Sequence, residues 1–237
     1  MSFLENYQQK GELLKVYTYP HPVLSKKSLP VTNFDERLKK LAQDMLYTMY
    51  KAPGIGLAAP QIGENIRMFV IDVEFERKKI SRPRIDNPEL IEVSYHLSNF
   101  HPRVFINPKI TRGPELVKCK EGCLSLPGVY EEVERAATVT VEYHDLDGNL
   151  CELSAEELLA ICIQHENDHL DGVVIIDHLS FLKKNFHKKK LIKRQKLTAA
   201  QNGRYLDGNN ECNDDDEDDE DENENAAAEG GGNERKI

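Results

Sequence analysis

The sequence predicts an α+β fold: antiparallel β-sheets packed around a central metal-binding helix, followed by a C-terminal helix and a disordered tail. Three observations lead there. Short apolar segments with strand-like alternation precede the central helix and are not interleaved with helices, which favours antiparallel pairing over a parallel sheet. Asp147-Gly148, between two such segments, is a hairpin-turn dipeptide. Leu158, Ile161, Cys162, His165 and His169 fall at i, i+3, i+4, i+7 and i+11, one stripe of a helix.

The 237 residues, 39% of them hydrophobic, suit one domain with extensions or at most two small ones. That domain is expected over 1–200, with an insertion at about 74–103, and the tail over 201–237. Leu38, Leu41, Ala42, Met45 and Met49 predict a helix over 34–50, with Asn33 and Glu36 as its N-terminal cap. The Gly- and Pro-punctuated segment APGIGLAAPQIG follows as a loop. Ile66, Met68 and Val70 alternate in a strand, VFIN at 104–107 is a short one, and Val139, Val141 and Tyr143 mark another. The charged, proline-bearing stretch 74–103 reads as an inserted excursion. Ser154 and Glu157 have the spacing of a capping box for the central helix, which Gly172 ends. GVVIIDHL then reads as a buried strand, and a last helix covers about 180–198 with Leu182, Phe186 and Leu197 as its apolar seam.

The formal charge of −10 is unevenly distributed. From Glu211 to Ile237 there are 13 acidic and 2 basic residues, whereas Lys183 to Lys196 holds eight Lys or Arg and no acid. The acidic tail is too poor in large apolar groups to offset its ordering entropy, and its Cys212 is expected to be an exposed thiol. No apolar run approaches the ~20 residues of a membrane-spanning helix. The segment MSFLENYQQKGELLK has no apolar signal core. Cys119, Cys123, Cys151, Cys162 and Cys212 show no paired spacing, so the expectation is a cytoplasmic protein with reduced thiols and no membrane partner.

The chemistry is carried by His165-Glu166-Asn167-Asp168-His169, an H-E-x-x-H motif. Residues four apart lie one turn apart on one helix face, so both imidazoles can reach one cation. Glu166 is offset from that stripe and can approach a water without being a ligand. Two helix histidines, one buried and one exposed, would be the plainer reading. The otherwise apolar stripe favours the metal, because histidines pointing into a core need partners. A third ligand could be Glu, His or Cys. His178 lies downstream, in the segment read as a strand. Upstream, Cys123 sits in the Gly- and Pro-bounded loop EGCLSLPG, where it could equally be a small core hydrophobe.

Three segments, GIGLAAPQIG (54–63), EGCLSLP (121–127) and QHENDHLDG (164–172), stand in the order of the signature motifs of the peptide deformylases, and over about 13–200 the chain resembles that family. Tyr19-Pro20-His21-Pro22-Val23-Leu24 and the strand pair around Asp147-Gly148 also fit. The resemblance implies a metal-dependent hydrolase that removes the N-terminal formyl group from formyl-methionine of newly synthesised proteins, releasing formate. It implies one divalent metal ion, Fe(II) or alternatively Zn(II), held by Cys123, His165 and His169, with a water in the open position. It implies Glu166 as general acid/base, and an oxyanion hole from the Gln61 side chain and the Leu124 backbone N–H. Leu158, Ile161 and Cys162 are implied as the methionine pocket, and Ile55, Gly56 and Gly122 as backbone partners of the peptide. The same helix residues would serve as plain core packing.

The basic segment 183–196 resembles the helix that contacts the ribosome in bacterial-type members, though such runs are usually solvated helix faces. The rival readings are an H-E-x-x-H metalloprotease and a non-catalytic module with a structural metal. The Cys123 loop and GIGLAAPQ weigh against the first. Intact Glu166 and Gln61 weigh against the second, since a structural site uses neither.

Overall fold

The computed structural model describes residues 4, 7–84 and 90–206. Of the tail expected over 201–237, residues 207–237, including Cys212, lie outside them, and 201–206 belong to the last helix. Helix α1 spans Glu36–Lys51. Its N-cap is Asp35, whose side chain accepts the Leu38 N–H at 3.0 Å. The expected Asn33 cap is displaced because the carboxylate nearer the first turn takes the free amide.

Five antiparallel strands form the main sheet: β1 (Gly56–Ala58), β2 (Met68–Ile71), β5 (Arg103–Arg112), β8 (Thr138–His144) and β9 (Leu150–Glu156), in the order β1-β2-β5-β8-β9. All four residues of β2 are buried, so its expected in-out alternation is absent. Helix α1 and helix α2 (Glu157–Leu170) both pack against this strand, leaving it no wet face. Met45, Leu46 and Met49 of α1 meet Phe69, Phe105 and Ile106 of the sheet and Ile161 and Cys162 of α2 in one core. The VFIN segment is the start of a ten-residue strand. The Asp147-Gly148 turn joins β8 to β9 as expected, with Gly148 at φ +83°.

The stretch 74–103 contains a separate antiparallel ribbon, β3 (Glu76–Pro83) with β4 (Ile91–Ser98), paired from Glu76↔Ser98 to Pro83↔Ile91. A second ribbon, β6 (Leu116–Gly122) with β7 (Tyr130–Ala136), was not legible in the sequence. It delivers the EGCLSLPG loop.

Three further expectations change. Ser154 lies within β9, opposite Thr140, and forms no capping box. The strand runs straight into α2, with Glu156 as an N-cap that makes no side-chain bond and Glu157 at φ +52°. The segment expected as a buried strand holds a 3₁₀ turn, Ile175–His178. There the Asp177 side chain accepts the Val174 N–H at 3.0 Å, a local bond that competes with strand pairing. Helix α3 runs Phe181–Leu206, and its expected seam faces outward: Leu182, Phe186 and Leu197 are 80%, 63% and 55% exposed. The opposite face is the docked one. Leu191 is buried there, Lys183 and His187 both reach Glu131 at 2.7 Å, and Arg194 donates to the Pro127 carbonyl at 3.2 Å. Leu191 closes a smaller core with Leu126, Val129, Val133 and Ile175, in which Cys123 is buried. Among the described residues no helix is long and apolar enough to cross a membrane.

Candidate active site

The apolar stripe of α2 turns His165 and His169 into the molecule, where they are 2% and 1% exposed. Cys123 follows β6 by one residue and arrives from the other side. One ligand atom from each of Cys123, His165 and His169 lies within 4.8 Å of the others, and the Cys123 Sγ is 3.2 Å from His169 Nε2. The group can hold a metal ion. Its His165 Nε2 is buried without a hydrogen-bond partner, while Nδ1 of the same ring lies 2.9 Å from a Glu121 carboxylate oxygen. A carboxylate at one ring nitrogen and a free lone pair at the other is the arrangement of a metal-ligating imidazole. One thiol and two imidazoles suit a transition metal better than magnesium or calcium.

The electrostatics agree with that fit. Burial, then the neighbouring His165, pulls the His169 imidazole down to about 3, so it stays neutral, as a ligand must. Burial, then the Glu166 carboxylate, pushes the Cys123 thiol well up. The N–H groups of Ser125 and Leu126 oppose that rise, and a cation's charge would complete the stabilisation of a buried thiolate.

Glu166 is 1% exposed and its Oε2 has no hydrogen-bond partner. Burial, then the charge of Glu121, raises its carboxyl well above the ordinary range. Gly56 makes room for it: a Cβ there would run into Glu166 Oε1 and lie 3.0 Å from Cys162 Sγ. The buried Gln61 stands beside Cys123. Its Oε1 accepts the Ala58 N–H at 2.7 Å, and its Nε2 donates to Ser125 Oγ at 3.1 Å and to Cys123 Sγ at 3.6 Å. Leu124 packs over Gly54, where a Cβ would meet its Cδ1 at 3.0 Å. Gly122 ends β6 against the Tyr130 ring, 2.6 Å from where its own Cβ would be.

The structure therefore gathers Cys123, His165, His169, Glu166, Gln61, Gly56 and Cys162 in one place. The Ile55 carbonyl accepts the Asp72 N–H at 2.9 Å and faces the Cys162 thiol at 3.9 Å. Ile161 and Leu158 lie one and two turns before His165 on α2, the first buried and the second partly so. His178, weighed as a third ligand, binds Asp168 at 2.7 Å instead.

Sequence reasoning missed the charged residues behind the candidate ligands. Arg135 places Nε and Nη2 on Glu121 at 2.7 and 2.9 Å and Nη1 on Asp168. Burial alone would raise the Glu121 carboxyl, but hydrogen bonds from Arg135 and His165 hold it at about 2. Asp168 is likewise held at about 2, because His178 and Arg135 outweigh its burial.

A buried Cys-His-His group, with both histidines on an H-E-x-x-H helix and a carboxylate beside them, is the kind of donor set a metal-dependent hydrolase uses. The polypeptide deformylase family matches residues 13–185, and the chain belongs to it. Members remove the formyl group from the N-terminal methionine of nascent proteins. The peptide deformylase of Mesorhizobium japonicum is 48% identical over 181 residues, covering 76% of this chain and 92% of the relative. That of Novosphingobium aromaticivorans is 45% identical over 183 residues, covering 77% and 97%. The crystal structure of a peptide deformylase from Legionella pneumophila superimposes with a TM-score of 0.63 at 38% identity, covering 79% of this chain and 98% of that one.

Proposed function

We propose that Cys123, His165 and His169 are the metal ligands of this deformylase and that Glu166 is its general acid/base. The observation that carries this reading is the buried ligand group with an unpartnered His165 Nε2, beside a carboxylate whose Oε2 is also unpartnered. When bound, the metal supplies a Lewis acid that brings the pKa of a water toward ~7. Glu166 takes the proton of the attacking water and returns it to the departing amine. The Gln61 Nε2 and the Leu124 N–H donate to the formyl oxygen as negative charge develops on it. Leu158, Ile161 and Cys162 line the methionine side chain and keep water from it. The backbones of Ile55, Gly56 and Gly122 pair with the peptide. Formate and a free α-amine leave.

We place the enzyme in the cytoplasm, where formylated nascent chains arise; Cys119, Cys123, Cys151 and Cys162 are all free thiols. The working metal in this reading is Fe(II) rather than Zn(II). A ribosome contact through 183–196 fits the outward face of α3, where Lys189, Lys190, Lys193 and Lys196 are exposed. Binding to ribosomal phosphates would weaken steeply with salt.

The metal assignment is tested by aerobic decay. The iron-loaded enzyme should lose activity in air and faster with peroxide, through oxidation of the metal or of Cys123, and zinc reconstitution should slow that loss. Undiminished activity of the iron form after prolonged aeration would contradict Fe(II).

A further inference from the structure

Two of the proposed ligands sit on α2 and the third follows β6, so the site depends on how the β6–β7 hairpin is held against the helix. A ring of charged groups, buried at Glu121 and Arg135 and partly buried at Asp168, spans that junction. From α2, His165 Nδ1 meets Glu121 of β6; Glu121 meets Arg135 of β7; Arg135 returns to Asp168 of α2. Arg135 commits all three guanidinium nitrogens, and its side chain is 4% exposed. Asp168 is flanked in sequence by Asn167 and the ligand His169, yet it points away from the ligand group toward Arg135 and toward His178 of the 3₁₀ turn at 2.7 Å.

We propose that Asp168, held by His178, is a positioning residue for the metal site: through Arg135 and Glu121 it fixes the His165 ring and the distance of Cys123 from both histidines. The proposal rests on the ligand assignment above and goes beyond it.

The physical reason is the shape of the guanidinium. Arg135 bound to Glu121 alone could swing with that carboxylate, since one fork fixes one plane. A second carboxylate on the remaining nitrogen, anchored on the ligand helix itself, leaves no free rotation. The orientation of Glu121 then determines which way the His165 lone pair faces. Groups behind metal ligands that orient them typically cost ten- to a hundredfold in metal affinity when removed.

Asp168→Asn keeps the size of the side chain and removes its charge. The hairpin remains tied by Gln164, whose amide accepts the Ala136 N–H at 3.1 Å and donates to the Ala136 carbonyl at 2.9 Å, so the variant should fold. The test uses the full-length protein loaded with Co(II), which reports thiolate and imidazole ligands through its absorption bands. Asp168→Asn should release cobalt to a chelator roughly ten- to a hundredfold faster than wild type. Its sulfur-to-cobalt charge-transfer band should shift or weaken, and Asp168→Glu, which keeps the charge, should recover part of both.

Wild-type release and an unchanged spectrum in Asp168→Asn, with only a lower melting temperature, would overturn the proposal and leave Asp168 a plain stabilising residue. If Asp168→Asn yields no folded protein, His178→Gln carries the test from the rim. It should speed cobalt release by a smaller factor, and wild-type behaviour in it would overturn the proposal. Cys123→Ala separates the two readings. If it keeps the charge-transfer band, the ligand assignment fails and this inference with it. If it loses the band while Asp168→Asn matches wild type, only the inference fails.

Discussion

Gly56 shows how much of the chemistry turns on a missing side chain. It sits in β1, at the point where the sheet passes the ligand helix, and Glu166 fills the space a Cβ would need. Cys162 Sγ would lie 3.0 Å from that Cβ as well, so an added methyl would be crowded from two sides. Gly56→Ala should therefore displace Glu166 while leaving the ligands alone. We expect kcat to fall by about 10²-fold, the cost of a misplacement near 1 Å, with metal content at the wild-type level. Steady-state kinetics alongside metal analysis check this, and a wild-type kcat would show that Glu166 has slack the packing does not suggest.

At this scale the sequence was most informative. The H-E-x-x-H spacing fixes two imidazoles on one helix face whatever the rest of the fold does, because helical geometry is local. The residues behind them were not legible. Arg135 lies in a strand of alternating charge, and nothing local distinguishes it from a solvated arginine. It becomes a buried partner of Glu121 only once β6 and β7 pair.

The elements themselves were read unevenly. Helices α1 and α2 were placed within a few residues, whereas α3 runs on to Leu206, past its expected end near 198; β6 and β7 were missed because segments such as YEEVERA carry too few apolar residues to show a buried face. The Ile175–His178 turn and the outward seam of α3 were misjudged for the opposite reason: apolar runs are ambiguous when only tertiary contacts decide which side is covered.

The caps give a direct test of the corrected boundaries. Asp35 satisfies the Leu38 amide of α1, so Asp35→Ala should cost about 1 kcal/mol. Ser154 is exposed within β9 and caps nothing, so Ser154→Ala should stay within ~0.5 kcal/mol of wild type. Urea denaturation of both variants measures this. A larger loss from Ser154 than from Asp35 would restore the capping box to α2.

For the molecule as a whole, the α+β class and the antiparallel pairing followed from the order of strands and helix. The sheet order did not, since β5 enters between β2 and β8 through contacts that no local pattern encodes. The architecture places two unlike cores on either side of the ligand group. The larger one fixes α2 against the sheet, and the smaller one, closed by Leu191 of α3, buries Cys123. The proposed ligands thus come from a helix packed in the larger core and a loop packed in the smaller one.

The central claim is that this meeting point hydrolyses a formamide with Glu166 as the proton carrier. Formate release from a formyl-methionyl peptide, measured for wild type and for Glu166→Ala at matched metal content, tests it most directly. The wild type should release formate rapidly, and Glu166→Ala should lose nearly all of that activity, with equal metal in both proteins. A variant that keeps its metal and a substantial fraction of the wild-type kcat would contradict it.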